Sequence, residues 1–368
     1  MSDPLLELDY KPKLPPKKDY GIGLVGTGGI VQYATMPSYR RHQLNVVAAY
    51  DLQRPTAEIV AEEFNIPHVC DSLEELLDDP AVEIVEIAVP PQHQLGIVRQ
   101  AVAAGKHLLC QKPLALDLAE AAEIVKLGEE AGVKVAVNQQ LRWGQGIRAA
   151  KDLIRKGWIG QVVDASIQVS VNTPWNMWDW LVNAPRLEVM YHSIHYIDAM
   201  RSLFGDPVWI TSRHARSPMQ GDIIGETKTI TILDYDNDLQ AFIADNHFNH
   251  SDEYFATFRF IGVDGHISGT LGAMYNYPHG REDTLYWSSR RYYPGHKFEA
   301  KLEGKWIPDA FIGPISSLMR AIQEDGVPET NARDNLGTLR IVEAAYRSAA
   351  EHRSIRFDEI DITPLSEL

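Results

Sequence analysis

Between residues 20 and 137, short apolar runs alternate with helical patterns, and this alternation limits the possible folds more than any other feature of the 368-residue chain. Tyr20 to Val25, Leu44 to Asp51, Val82 to Val89, His107 to Cys110 and Val133 to Val137 read as buried strands. Helical patterns separate them over Ala57 to Asn65, Ser72 to Leu77, Leu95 to Ala104 and Ala119 to Ala131. Ser72 followed by Glu75 is a capping box, and Gly105 and Gly132 stand where helices stop. Strands that alternate with helices form a parallel sheet covered on both faces. The pattern therefore predicts an α/β domain over residues 20–140. An arm rich in proline and lysine precedes it at 1–19 and is either disordered or laid along that domain.

The first strand runs into Gly26-Thr27-Gly28-Gly29-Ile30-Val31, and the next strand ends in Asp51, 23 residues after Gly28. Glycines allow a tight turn and close backbone approach to a pyrophosphate, whose charge sits at a helix N-terminus. An acid about 20 residues further on accepts the ribose hydroxyls. This is the layout of a dinucleotide-binding turn, with a helix expected to end near Met36-Pro37. Val31 stands where a third small residue is usual and pushes that helix slightly outward. A carboxylate at Asp51 repels a 2′-phosphate, and Leu52 offers no charge to hold one, so NAD is favoured over NADP. Arg54, three residues on, is the one group that points the other way, although a solvated loop arginine is the simpler reading.

At the carboxyl end of a later strand comes Gln111-Lys112-Pro113. Proline pushes the residue before it out of the helical region, so Lys112 is extended or in a turn. Open α/β sheets bind ligands at the carboxyl ends of their strands. An ammonium there stands in a ligand-binding position, whereas a lone Lys-Pro step is otherwise an ordinary loop.

Composition bounds the rest. The net charge of -15, from 35 basic and 50 acidic residues, argues against nucleic acid as the main partner, since phosphate backbones need a basic patch. Cys70 and Cys110 are too few for a disulfide framework or a zinc-finger pattern, which fits a reducing compartment. No apolar stretch is long enough to span a bilayer, and the first residues hold no signal-peptide core. A soluble, cytoplasmic protein is expected.

Beyond residue 145 the pattern changes. A helix over Ala149 to Lys156 precedes strand-like runs at Val162 to Val171, Val208 to Arg213, Thr227 to Leu233, Gln240 to Phe248, Thr257 to Ile261 and His266 to Leu271. Asp234 to Asp238 and Gly262 to Gly265 are hairpin connections, which imply an antiparallel sheet. Helices return at 310–324 and 333–351. Within this half, Leu187 to Phe204 reads as a helix stopped by Gly205. Met190, Ile194, Ile197, Met200 and Phe204 form its apolar stripe. Glu188, His192 and His195 fall on the opposite side, with Tyr191 beside them; a solvated polar face is the alternative. Upstream lie Asn172, Trp175, Asn176, Trp178, Asp179 and Trp180. They read either as a buried aromatic cluster or as a wall that stacks on sugar C–H groups while the polar side chains meet hydroxyls. The loop Tyr275 to Arg281 either serves the same cleft or is a plain surface loop.

Gly26-Thr27-Gly28-Gly29-Ile30, Val89-Pro90-Pro91, Ala104-Gly105-Lys106-His107, Gln111-Lys112-Pro113 and Leu141-Arg142-Trp143 together resemble the glucose–fructose oxidoreductase, inositol dehydrogenase and MocA family (Gfo/Idh/MocA), in order and spacing over nearly the whole chain. The usual family motif is Glu-Lys-Pro; Gln111 keeps a hydrogen-bonding side chain and removes a charge. The resemblance implies an N-terminal Rossmann parallel sheet (20–140). It also implies a C-terminal α+β domain (141–368) with a large open, mostly antiparallel sheet used in oligomer contacts. It implies an NAD(P)-dependent oxidoreductase acting on a secondary hydroxyl of a sugar, polyol or sugar derivative. Gly26, Thr27, Gly28, Gly29, Ile30, Asp51, Pro90, Gln111 and Lys112 would face the cofactor. Lys112 would polarise the reacting oxygen, and His195, in a His-x-Ile-Asp pattern, would be the general base. The family's aspartate four residues before that histidine is Tyr191 here, its usual glycine is Ser193, and His192 is extra, so Tyr191 or His192 could assist. Arg142, Asn172, Trp175, Trp178, His192 and His195 would meet the substrate.

Three alternatives remain open from sequence. Glu188, His192 and His195 could hold a metal in a lyase, isomerase or hydrolase. The enzyme could be redox-neutral with retained NAD, or the protein a sugar sensor without catalysis. The expected partners are a small sugar-like molecule and further copies of the same chain, as a dimer or tetramer, with no nucleic acid or membrane.

Overall fold

The computed structural model describes residues 6–175, 178–251, 253–277 and 279–361. Six short strands form an all-parallel sheet in the order β3-β2-β1-β4-β5-β6. They are β1 (Ile22–Val25), β2 (Val46–Tyr50), β3 (His68–Val69), β4 (Ile84–Ile87), β5 (His107–Cys110) and β6 (Val135–Val137). The central β1 and β4 are buried along their full length, as an apolar strand covered on both faces must be. The expected α/β layer is therefore present, with the two-residue β3 as an edge strand that was not expected and the other strands up to four residues shorter than the apolar runs.

Three local features follow from chemistry already visible in the sequence. Ser72 Oγ accepts the Glu75 N–H at 3.1 Å, the N-cap half of the capping box. Asp117 caps the next helix in the same way, accepting the Glu120 N–H at 2.9 Å. The helix after the glycine turn differs from expectation. It does not stop at Met36-Pro37 but runs as a π-helical turn, Val31–Thr35, into an α-helix, Met36–His42. A proline ring inside an α-helix clashes with the carbonyl four residues back. The wider π turn placed just before Pro37 relieves that clash.

Two compact units emerge: residues 12–140 with 308–339, and residues 6–11 with 141–307 and 340–361. The helix Ile312–Gln323, expected with the C-terminal half, thus belongs to the first unit. Its Ile312, Ile315, Leu318 and Met319 are buried in one cluster with Ile22, Leu24, Leu109 and Ala136. Of the arm, Leu14 packs on this cluster, while the Asp9 N–H donates to Asp152 in the second unit at 3.1 Å.

The second unit is built on nine strands in the order β14-β13-β12-β11-β7-β10-β9-β8-β15. They are β7 (Val162–Ser170), β8 (Trp209–Ala215), β9 (Lys228–Asp234), β10 (Gln240–Asn246), β11 (Phe255–Gly262), β12 (Gly265–Thr270), β13 (Thr284–Ser289), β14 (Tyr293–Lys301) and β15 (Ile355–Arg356). Every pairing is antiparallel except β7 with β10. Strands β13, β14 and β15 were not expected; β14 is an edge strand with mostly exposed side chains and carries no apolar run to announce it. Burial alternates along β9, with Thr229, Thr231 and Leu233 inward and Lys228, Ile230 and Ile232 outward. Trp209, Ile230, Ile232, Phe255 and Tyr286 are all exposed.

One buried charge in the first unit carries a testable consequence. Glu86, inside β4, is 1 % exposed and accepts hydrogen bonds from Tyr39 Oη at 2.6 Å and Thr35 Oγ1 at 3.1 Å. Burial pushes its carboxyl up from 4.5 to about 7, against the pull of those two donors. The native state therefore holds a proton that the unfolded chain releases, so this group's contribution falls as pH rises from about 5 to above 7. The loss amounts to at most about 3 kcal/mol. Thermal unfolding followed from pH 5 to 8.5 is expected to show this fall in the wild type and a flatter profile in Glu86→Gln. An unchanged slope would assign the dependence to other groups.

Candidate active site

In the first unit the glycine turn is shaped by sterics. Gly26 has φ +89°, and a Cβ there would lie 2.6 Å from the Ala88 carbonyl oxygen. At Gly28 a Cβ would meet nothing within 4 Å, so there is open space over the turn where a ligand backbone can approach. Gly29 and Ile30 continue into the helix, whose first N–H groups have no intrahelical acceptor. Asp51 Oδ2 accepts the Thr27 N–H at 2.8 Å and Thr27 Oγ1 at 3.1 Å, while its Oδ1 accepts the Gln53 N–H at 2.9 Å. The acid at the end of β2 is thereby fixed against the turn and retains acceptor capacity. Arg54 is engaged by Glu58 at 2.8 Å and by Asp71.

At the end of β5, Gln111 Oε1 accepts the Lys112 N–H at 3.0 Å, and the Lys112–Pro113 peptide is cis. Gln111 Nε2 is buried without a hydrogen-bond partner among the described residues, as is Asn138 Oδ1 just past β6. Amide groups left open at the carboxyl edge of the sheet suit the carboxamide and ribose of a nicotinamide dinucleotide. The glycine turn with Asp51 suits its pyrophosphate and adenosine ribose, so this unit fits the cofactor. Pro90 begins a short 3₁₀ turn, Pro91–His93, which leads to Gln94. Gln94 is fully buried, and its Nε2 donates to the carbonyls of Gln111 at 2.9 Å and Pro113 at 2.8 Å. It clamps the loop that carries Lys112. Nothing in its spacing from that loop marked it beforehand.

In the second unit, Glu188, Tyr191 and His192 lie at or on a π-helical turn, Val189–Ser193, that passes into the α-helix Ile194–Phe204 carrying His195. A regular helix would put Glu188, His192 and His195 on one side. The extra residue in the π turn rotates the downstream helix by about 100° relative to the segment before it. The three do not gather. Glu188 and His192 meet His247 from the end of β10, with ligand-type atoms of all three within 4.8 Å of one another. His195, 6 % exposed, faces Trp306 edge-on at 5.2 Å.

The first group is tightly made. Glu188 Oε2 lies 3.4 Å from His192 Nδ1, and its Oε1 lies 3.7 Å from His247 Nε2. The two imidazoles stack at 4.3 Å with planes 20° apart, and Trp175 stands edge-on to His192 at 4.9 Å. His247 also meets Thr173 Oγ1 at 3.0 Å and Tyr196 Oη at 3.5 Å. Burial lowers its pKa to about 3, so it is neutral. The side chains are of metal-binding type, but stacked rings send their in-plane lone pairs side by side rather than to one point.

The other expected site residues are placed as follows. Arg142, expected on substrate, is 5 % exposed and forms a two-pronged pair with Asp198, Nε to Oδ2 and Nη2 to Oδ1, both at 2.7 Å. This is a charge-assisted, bidentate pair. Tyr191 is buried against Trp180, and its hydroxyl is pushed up to about 12 by burial, so at neutral pH it stays protonated. Trp175 is core, its Nε1 donating to the His247 carbonyl at 3.2 Å. Trp178 is half-buried and leans on Tyr277 at 5.9 Å. Asn172 is exposed and bridges Phe248. Asn176 and the side chain of Asp179 lie outside the described residues. In the loop Tyr275 to Arg281, the Arg281 guanidinium covers the Tyr275 ring at 3.7 Å.

The Gln94 clamp is directly testable. Gln94→Leu leaves two buried carbonyls without their donor, worth about 1–3 kcal/mol each. The expected result is a 10- to 100-fold loss in kcat/KM with the fold intact by circular dichroism; full activity would show that the loop holds itself.

Residues 20–139 match the oxidoreductase family model with an NAD-binding Rossmann fold, and residues 147–278 match the Gfo/Idh/MocA C-terminal domain. The chain is 26 % identical over 331 residues to D-apiose dehydrogenase of Paraburkholderia graminis, covering 86 % of this chain and 84 % of that one. It is 25 % identical over 344 residues to D-xylose 1-dehydrogenase (NADP(+)) 2 of Haloferax volcanii, covering 92 % and 99 %. Among solved structures, an oxidoreductase from Agrobacterium radiobacter in complex with NAD+, L-tartaric acid and magnesium superposes with a TM-score of 0.83. It is 22 % identical and covers 93 % of this chain and all of that one. With both family models matched in order along one chain, the protein belongs to the Gfo/Idh/MocA family of NAD(P)-dependent sugar and polyol oxidoreductases.

Proposed function

We propose that the protein is an NAD-dependent dehydrogenase that oxidises a secondary hydroxyl of a small sugar, polyol or sugar acid, or runs the reverse reduction. The observation that carries the cofactor choice is Asp51, held by Thr27 at the mouth of the glycine turn. A fixed carboxylate there accepts ribose hydroxyls and repels a 2′-phosphate, and Arg54, which could have offset it, is paired with Glu58 and Asp71. The named activities of the relatives on apiose and xylose support a small sugar as substrate.

When bound, the nicotinamide supplies the hydride acceptor. Lys112 hydrogen-bonds the reacting oxygen and stabilises the negative charge that develops on it. His195 takes the hydroxyl proton. Tyr191, protonated at neutral pH, and His192 hydrogen-bond neighbouring hydroxyls. Trp178 with Tyr277 packs on the apolar face of the ring. The stacking of His192 on His247 favours this hydrogen-bonded use of the histidines over a shared metal ion. The exposed Ile230, Ile232, Phe255 and Tyr286 on the nine-stranded sheet support association of this face with a second copy of the chain.

The test is NADH formation over a panel of sugars, polyols and sugar acids. NAD is expected to be preferred over NADP by on the order of 100-fold, since each 1.4 kcal/mol of repulsion is tenfold. Lys112→Ala is expected to lose on the order of 10²–10³ in kcat, and His195→Ala on the order of 10²–10⁴, both with NADH binding retained. NADH binding without turnover of any substrate would overturn the dehydrogenase reading. Light scattering is expected to show an oligomer that Ile230→Glu dissociates.

A further inference from the structure

A π-helical turn is rare, occurs as a single turn inside an α-helix and is frequent at functional sites. The turn Val189–Ser193 is held at both ends by buried carboxylates from the sheet side of its own unit. At its start Glu226, just before β9, accepts the N–H groups of Leu187 and Val189, each at 3.2 Å, and the Tyr346 hydroxyl at 2.5 Å. Tyr346 Oη in turn accepts the Met190 N–H at 3.2 Å, with the Arg186 guanidinium 4.2 Å from its ring. At the other end Ser193 Oγ donates to Asp245 Oδ2 and lies 3.4 Å from Thr229 Oγ1. Asp245 and Thr229 are direct cross-strand partners on β10 and β9, both pointing inward. Asp245 is 3 % exposed and Glu226 8 %.

We propose that Glu226 and Asp245 are positioning residues that keep this turn in its wide form and so set where His192 and His195 point. One residue more or less in the turn rotates the helix after it by about 100°. In the wide form His192 meets His247 while His195 meets Trp306. A turn that closed to α geometry would bring both histidines to one side and pull His192 off His247. Glu226 holds three donors at the entry, two backbone N–H groups and the Tyr346 hydroxyl. Ser193 supplies the hydroxyl that Asp245 holds at the exit. Neither carboxylate needs to touch substrate for this role. The kinetic consequence rests on the proposed dehydrogenase activity, whereas the placement of the histidines rests on geometry alone.

The experiment compares Ser193→Ala, Ser193→Thr, Asp245→Val, Asp245→Asn and Glu226→Ala in the full chain. Ser193→Ala, Asp245→Val and Glu226→Ala are expected to lower kcat 10- to 100-fold while KM for NAD stays within twofold. Ser193→Thr and Asp245→Asn, which keep the donor and the acceptor, recover most of it. The ring Cε1–H resonances of His192 and His195, assigned by substitution, are expected to move in Ser193→Ala and return in Ser193→Thr. Retention of kcat within twofold in Ser193→Ala and Glu226→Ala would overturn the proposal. So would a loss that falls in step with melting temperature and NADH binding and is not rescued by threonine. If the wild type turns over no substrate, the dehydrogenase reading fails by itself and the histidine resonances decide; unmoved resonances in Ser193→Ala would refute the positioning role.

Discussion

A carboxylate removed from water must be met by donors, and several of the buried carboxylates among the described residues are met by segments that carry candidate site residues. Glu86 is held by Thr35 and Tyr39, on the helix that follows the glycine turn. Asp198 receives both prongs of Arg142. Glu226 and Asp245 grip the two ends of the turn that carries His192. Asp283 accepts the N–H groups of Gly146 at 2.9 Å and Gly272 at 2.6 Å, and burial pushes its carboxyl up to about 6. A solvated loop could hold none of these segments so tightly, because water would compete for every donor.

The same logic explains why the two units solve different problems. In the first, an all-parallel sheet buried on both faces leaves its polar groups at the carboxyl edge, where Thr27, Asp51, Gln111 and Asn138 collect. In the second, a mostly antiparallel sheet is buried on one face only, and the inward positions Thr229 and Asp245 act as anchors for the helix above them. The outward positions of the same strands, Ile230 and Ile232 among them, are left to solvent or to another copy.

Much of the first unit was legible because its signals are local. The alternation of strand and helix, the Ser72 cap, the glycine turn and the acid at the end of the second strand each depend on residues a few positions apart. The path of the helix past Pro37 was not legible, since whether a proline ends a helix or is absorbed by a widened turn depends on packing. In the second unit the helix itself was predicted and its face was not. A single π turn undid the shared side that regular spacing promised for Glu188, His192 and His195.

The sequence by itself therefore determined the class of fold, the dinucleotide turn, the acid beside it and the lysine at the end of the fifth strand. Only the tertiary structure decided that His247 and Asp245, more than fifty residues downstream, meet the helix that carries His192 and Ser193. It alone decided that Arg142 pairs with Asp198, that Gln94 clamps the lysine loop, and that the helix Ile312–Gln323 completes the first core. The physical reason is range. Periodicity, caps and turns are written in neighbouring residues, whereas strand register and the burial of charge are settled between segments distant in the chain, and no local pattern records their partners.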